Sequence, residues 1–313
     1  MMSTTGLANF NLDMNELIEE AFERCGKQLR SGYDFRTARR SVNIMTIEWA
    51  NRGINLWTVE QNQFVMNTGQ AIYALPVNTI DILDAVTRQY NGASTNQIDI
   101  NLSRISESTY ATIPNKNATG RPIQMYVNRQ SGNVATIPQT TLAVGYPISA
   151  TDTTITLTDA SNLPTMGFIN IGNETIAYQN IVGNQITNAW RAQNGTTAAS
   201  HAAGADVYVN YLPCVNVWPT PNPPGDQYTF VYYRMRRIQN AGDGLNTQDI
   251  PFRFIPAMVA GLAYHLSQKL EDVDMQRIVG LKAAYEETFQ QAADEDREKA
   301  SLRWVPRNMF YYR

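Results

Sequence analysis

Residues 34–58 read DFRTARRSVNIMTIEWANRGINLWT, a stretch that holds both a helix and the point where the helical period stops. Phe35, Ala38, Val42, Met45 and Trp49 recur at i, i+3, i+7, i+10 and i+14, one apolar stripe at helical spacing. Arg36, Arg39, Arg40, Glu48 and Arg52 lie mostly off that stripe. Asp34 suits the N-cap and Gly53 the residue just past the end, so a helix is expected over 34–52. From residue 54 the apolar positions fall into short runs among Gly, Pro, Asn and Thr, the texture of strands and turns. A helical start feeding a strand-rich middle indicates the α+β class.

Upstream, Leu17, Ile18, Ala21, Phe22, Cys25 and Leu29 form an apolar face, with Asp13 and Glu16 spaced as a capping box. A helix is expected over 12–30, stopped at Gly32 and packed antiparallel on the next one. Downstream, Gln97–Ile105 alternates as one half-buried strand, Ser106–Thr112 suits a helical turn or a loop, and Ile123–Asn128 reads as a strand. Residues 142–211 carry short strand candidates at Thr153–Thr158, Gly167–Ile171, Glu174–Tyr178, Gln185–Thr187 and Ala205–Val209. Turn residues separate them, which predicts a small all-β domain inserted into a larger one. Strand signals resume at Val215–Trp218 and at Gln227–Arg236, where both faces carry large side chains, as in a central strand. Pro251 opens a helix whose Ala257, Ala260, Gly261 and Ala263 permit close packing, and a further helix is expected over Val273–Lys299. The ending SLRWVPRNMFYYR, residues 301–313, has no helical period, and Pro306 forbids a helix interior. The expected organisation is therefore an N-terminal helical part at 1–58, core β parts at 59–141 and 212–245, the inserted module at 142–211, C-terminal helices at 246–300 joining the bundle, and an extended arm at 301–313.

Hydrophobic residues make up 43% and charged residues 17%, which is globular with an amide-rich surface. Amides cost less to bury than charges, so such a surface suits permanent subunit contacts. A net charge of −3 argues against a dedicated nucleic-acid binder. Cys25 and Cys214 are too few for a disulfide framework or a zinc knuckle and read as reduced thiols, in keeping with assembly in a cytoplasm. The opening MMSTTGLANF has no signal-peptide pattern, and no run approaches a membrane span, so no membrane partner is expected.

Nothing in the chain spells catalysis. There is no GxGxxG, GxxxxGK[ST], HExxH or CxxC, and no cofactor or metal site is expected. His265 falls on an apolar helix face and His201 in a loop of small residues beside Ser200, where a structural turn outweighs a triad. Glu19-Glu20, Glu286-Glu287 and Asp294-Glu295-Asp296 read as solvated charge, with a cell-wall hydrolase as the least favoured function. The densest basic cluster includes Arg36, Arg39 and Arg40, suited to a solvated face, to an acidic partner surface or to passing phosphates; Arg234, Arg236 and Arg237 form a second.

Two segments carry a resemblance. Leu29–Thr58, and above all EWANRGINLW at 48–57, resembles the N-terminal helical region of head-to-tail adaptor (connector) proteins of short-tailed, podovirus-like bacteriophages. Residues 144–209 resemble a small β module inserted in phage tail proteins, through ATDTTI at 150–155, GNETIAY at 172–178, Arg191 and GTTAASH at 195–201. The resemblance implies a structural virion protein at the head-tail junction, not an enzyme. Copies would form a ring, usually a dodecamer, between the portal protein and the tail nozzle, with double-stranded DNA passing transiently through it during ejection. A C-terminal arm would dock into the portal, here through Arg303, Trp304, Arg307, Phe310, Tyr311, Tyr312 and Arg313. The module at 142–211 would reach a tail fibre or tailspike. A nozzle or fibre-anchoring subunit is the second reading.

Overall fold

The computed structural model describes residues 12–53, 56–90, 96–222 and 227–296. Within them lie five α-helices: α1 (Met14–Arg24), α2 (Gly32–Asn51), α3 (Glu107–Ala111), α4 (Ile255–Ser267) and α5 (Met275–Glu295). Several mostly antiparallel sheets accompany them, so the chain is α+β with N- and C-terminal helices. It divides into two compact units, 1–57 with 238–313, and 58–237.

The first unit is helical. Its core gathers Leu17, Ile18 and Phe22 from α1, Val42, Met45 and Trp49 from α2, Met258 and Leu262 from α4, and Tyr285 and Phe289 from α5. Each such side chain contributes roughly 1.5–3 kcal/mol by leaving water. Asp13 and Glu16 do form a reciprocal capping box. The helix stops at Arg24 instead of running to residue 30. Gly26 takes φ +74° and the N–H of Lys27 bonds back to the Phe22 carbonyl, closing the C-terminus six residues before Gly32. Gly32 instead opens α2. Ser31 is the N-cap, its hydroxyl accepting from the Asp34 N–H at 3.2 Å while the Asp34 carboxylate accepts from the Ser31 N–H at 3.2 Å. Asp34 is thus the acid of the box and not its cap. Gly53, at φ +78°, follows the C-cap of α2. Gly261 on α4 is where α2 and α5 press closest, since a Cβ there would meet the Met45 sulfur and the Tyr285 ring. The last helix starts at Met275, not Val273, because Asp272 sits at φ +56° and Asp274 is the N-cap.

The second unit is built of strands. One sheet has the order Val59–Val65, Tyr228–Arg236, Thr79–Tyr90, Gln97–Asn101, with Tyr228–Arg236 central and its first five residues buried on both faces. A second has the order Ile72–Ala74, Cys214–Trp218, Gln124–Asn128, Ser103–Arg104. The stretch read as one strand, Gln97–Ile105, therefore splits at the buried Leu102 and serves two sheets. Both sheets bury Tyr73, Leu75, Ala85, Val215, Val217 and Phe230 in one cluster. The Phe64 ring stacks on Phe230 at 4.9 Å and 11°.

Within 140–210, Gly167–Ile171 lies between Glu174–Tyr178 and Asp206–Asn210, and Thr140–Thr141 edges the latter. A three-stranded sheet, Asn180–Val182, Gln185–Thr187, Ile155–Thr156, completes it. The first strand read there, Thr153–Thr158, shortens to Ile155–Thr156, while Leu157 bridges to Leu142 and its N–H bonds to the Asn184 carbonyl. Leu142, Ile155, Leu157, Ile169, Ile176, Tyr178, Ile186 and Val207 form a cluster of their own. A small seam of Ile72, Phe168, Ala177, Leu212 and Cys214 joins it to the second sheet.

Candidate assembly surfaces

Most charges that might have done chemistry are consumed by packing. In the second basic cluster, Arg234 donates to Glu60 at 2.9 Å, to Asn78 at 2.7 Å and to Thr79 at 3.0 Å, while Arg236 donates to the same Glu60 at 2.6 Å. Arg234 is buried, so this pair fixes the first sheet instead of facing a partner. Glu20 pairs with Arg24, and Glu286 with Arg52, which also holds Glu48. Asp296, read as solvated, is buried and bonded to Arg253. At the end of α5 the helix turns its last face onto the turn before α4, a placement the charge run hides.

The second unit's tightest polar cluster surrounds Glu174, which is 1% exposed. Its carboxylate accepts from Arg191 Nε at 2.7 Å and Nη2 at 2.6 Å, from His201 Nε2 at 2.8 Å, and from the Ala192 and Ala199 N–H groups at 3.2 and 3.1 Å. His201 Nε2 therefore carries the proton in that bond. Arg191 spends its other N–H groups on the carbonyls of Ser149, Asp152 and Ala199. Burial pushes the Glu174 carboxyl up, but Arg191, His201 and the two backbone donors outweigh it and hold the group at about 2. A carboxylate so depressed and so enclosed cannot exchange protons near neutral pH. The loop of small residues that hides His201 in the sequence is thus one wall of a charged staple, and Glu174, Arg191 and His201 are three of the residues that carry the resemblance to phage β modules.

His265 lies 3.5 Å from Glu48, with burial lowering its proton affinity. Both cysteines are free and buried, and burial pushes Cys25 up to about 11 and Cys214 to about 12, so neither is a nucleophile at neutral pH. Among the described residues no group of three metal-ligating side chains occurs, and no helix is long and apolar enough to cross a membrane.

Among the described residues, two surfaces of the helical unit stand out as uncovered. On α2, opposite the buried stripe, Tyr33, Arg36, Arg40, Ile44 and Ile47 follow one another along one helical face. Tyr33, Ile44 and Ile47 are 66%, 51% and 63% exposed. Arg39 stands off this line, its guanidinium 5.9 Å from the Phe35 ring. Among the described residues, Arg36, Arg39 and Arg40 form no ion pair. On α1 and α4, a groove of about 460 Å³ is lined by Leu12, Ile255, Pro256 and Val259 together with Glu16, Glu19, Glu20, Glu23 and one cation, Arg24. The sequence reading missed Ile44 and Ile47 because it followed only the stripe that faces the core. A second stripe of mixed aliphatic and Arg positions was the signal. The arm residues Arg303, Trp304, Arg307, Phe310, Tyr311, Tyr312 and Arg313 lie outside the described residues.

The described residues thus show buried charges paired with one another and helix faces that no other described residue covers. A family model described as SU10 adaptor protein matches residues 119–308, more than half of the chain. This is a phage structural adaptor, and the chain belongs to the SU10 adaptor protein family. The matched stretch begins after α2, so the segment resembling short-tailed-phage adaptors lies outside it. No curated protein matches the sequence.

Proposed function

We propose that copies of this chain assemble into a ring, twelve-fold, between the portal and the tail nozzle of a tailed phage, and that the ring gives DNA its passage out of the head. The observation that carries this reading is membership of the adaptor family over 119–308. An amide-rich surface with 17% charged residues and exposed aliphatic and aromatic positions on α2 supports it, because ring closure needs large repeated contacts. The portal anchor in this reading is the arm at 301–313, with three Arg and four aromatic side chains, the types that dominate interface energetics. Deleting Ser301–Arg313 is expected to leave the helical and strand content unchanged by circular dichroism and to abolish co-sedimentation with portal rings. Undiminished co-sedimentation of the truncated chain would sink the anchor.

The module at 142–211 is proposed as a separable unit that meets a tail fibre or tailspike. Its own apolar cluster and charged staple support this. Residues 132–135 run beside 209–211, so 134–141 become free chain when the module is removed and can bridge the gap. The shortened protein is expected to keep the remaining sheets, with some loss of stability where Ile72 and Cys214 lose their cover. Complete loss of cooperative unfolding in that variant would show that the module is part of the core.

A further inference from the structure

The ring reading leaves open which surfaces of neighbouring copies meet. We infer that the exposed face of α2 on one copy docks into the acidic groove of α1 and α4 on the next; this rests on the ring proposed above. A heterologous ring contact needs two different patches on one chain, complementary to each other and sharing no residue. The α2 face and the groove meet that condition: one lies on α2 alone, the other on α1 and α4 with Leu12.

Their chemistry is opposite in sign and alike in shape. The α2 face carries two cations, Arg36 and Arg40, followed along the helix by two aliphatic side chains, Ile44 and Ile47. The groove sets glutamates beside apolar side chains, with Pro256 and Ile255 accessible. Ile44 and Ile47 can leave water against Leu12, Ile255 and Pro256 while the two arginines reach the groove's carboxylates. Among the described residues, Glu19 and Glu23 have no ion pair within their own chain, and neither do Arg36 and Arg40. Among the described residues, the internal competitor for these carboxylates is Arg24, which holds Glu20. Double-stranded DNA is the other possible occupant of a basic helix face. Two exposed isoleucines and a tyrosine flanking the arginines favour a protein surface, since a phosphate backbone offers aliphatic side chains nothing to bury against. Because charge complementarity governs recognition more than bulk affinity, the contact also explains how twelve identical chains could avoid pairing face to face: two α2 faces repel, and so do two grooves.

The test uses the full-length chain with portal rings, scored by negative-stain imaging and sedimentation velocity. R36E/R40E and E19R/E23R are each expected to raise the protein concentration needed for ring formation at least tenfold. The quadruple variant, carrying all four changes, restores opposite signs and is expected to recover assembly, as is an equimolar mixture of the two double variants. Circular dichroism melts confirm that each variant is folded, and these exposed positions are not part of the core. Rings formed by R36E/R40E at the wild-type concentration overturn this contact while leaving the ring reading intact. The same result combined with weaker retention of a 30-base-pair duplex in a gel shift assigns the α2 face to DNA instead. If the wild-type chain forms no ring on portals, the functional reading itself falls, and this contact falls with it.

Discussion

Glu174→Gln should lower the stability of the strand unit by about 3–5 kcal/mol, the range for removing one partner of a buried ion pair. The reason lies in what is left behind. Arg191 keeps its charge, is mostly enclosed, and has two of its N–H groups aimed at a carboxylate that is no longer there. An amide in its place offers one oxygen where five donors converge, and its NH2 group faces donors. Arg191→Lys is expected to fall between wild type and Glu174→Gln, because it keeps the charge and loses the planar fork that also ties Ser149, Asp152 and Ala199. Urea unfolding followed by tryptophan fluorescence reads the effect, and a loss under 1 kcal/mol for Glu174→Gln would show that the staple does not hold the strand unit together.

The same cluster fixes an acid dependence. A carboxyl held at about 2 in the folded chain and near 4.5 when unfolded contributes stability that is complete above pH 4.5. That contribution, roughly 3 kcal/mol, drains away as the pH falls from 4.5 toward 2 and is gone below both values. The Glu174→Gln variant should therefore show a flatter stability profile than wild type between pH 5 and 2.

What the sequence revealed and what it hid follow from range. Gly167–Ile171 and Glu174–Tyr178 were legible to the residue, because the turn at Gly172-Asn173 is local and both strands carry dense apolar positions. The core stripe of α2 was legible for the same reason, a period of 3.6 written into twenty consecutive residues. Helix ends were less so: Ser31 and Asp34 are both good caps, and only the fold decides that the serine caps and the acid closes the box. Gly26 and Gly32 posed the same ambiguity at the end of α1. The polar clusters were not legible at all. Glu60 finds Arg234 across 174 residues, and Arg253 finds Asp296 across 43, distances at which no spacing rule operates. Glu174, Arg191 and His201 stood out singly as marks of a resemblance, but their convergence on one carboxylate needs the start of a strand and two separate segments brought together. The α2 outer face was visible in principle and overlooked, since a search for core positions discards whatever points away from the core.

Trp49→Ala should be the most damaging single change in the helical unit, costing about 3–5 kcal/mol from lost burial and the cavity left behind. Trp49 is fully buried and lies between Phe254 at 5.5 Å and Phe289 at 5.6 Å, both tilted against it. Its Nε1–H donates to the Tyr285 hydroxyl at 2.9 Å, deep inside the bundle. Removing the indole thus also leaves a buried hydroxyl without its donor, a further cost of about 1–3 kcal/mol that partly overlaps the first. Trp49→Phe separates the two effects. It keeps an aromatic ring between Phe254 and Phe289 but loses the donor and part of the indole's volume, so its cost should be smaller than that of Ala, about 1–3 kcal/mol. Helical ellipticity during urea unfolding measures both, and equal losses for Ala and Phe would mean that the hydrogen bond, not the ring, secures α2. The consequence reaches assembly, because the buried and exposed stripes of α2 are two sides of one rod. Arg36, Arg40, Ile44 and Ile47 hold their spacing toward a neighbour only while Val42, Met45 and Trp49 hold the helix down. Trp49→Phe, folded at room temperature but with a looser α2, is therefore expected to need a higher concentration to form rings on portals, although it changes no surface atom. Wild-type ring formation by that variant would show that the α2 face does not depend on the tightness of its inner packing.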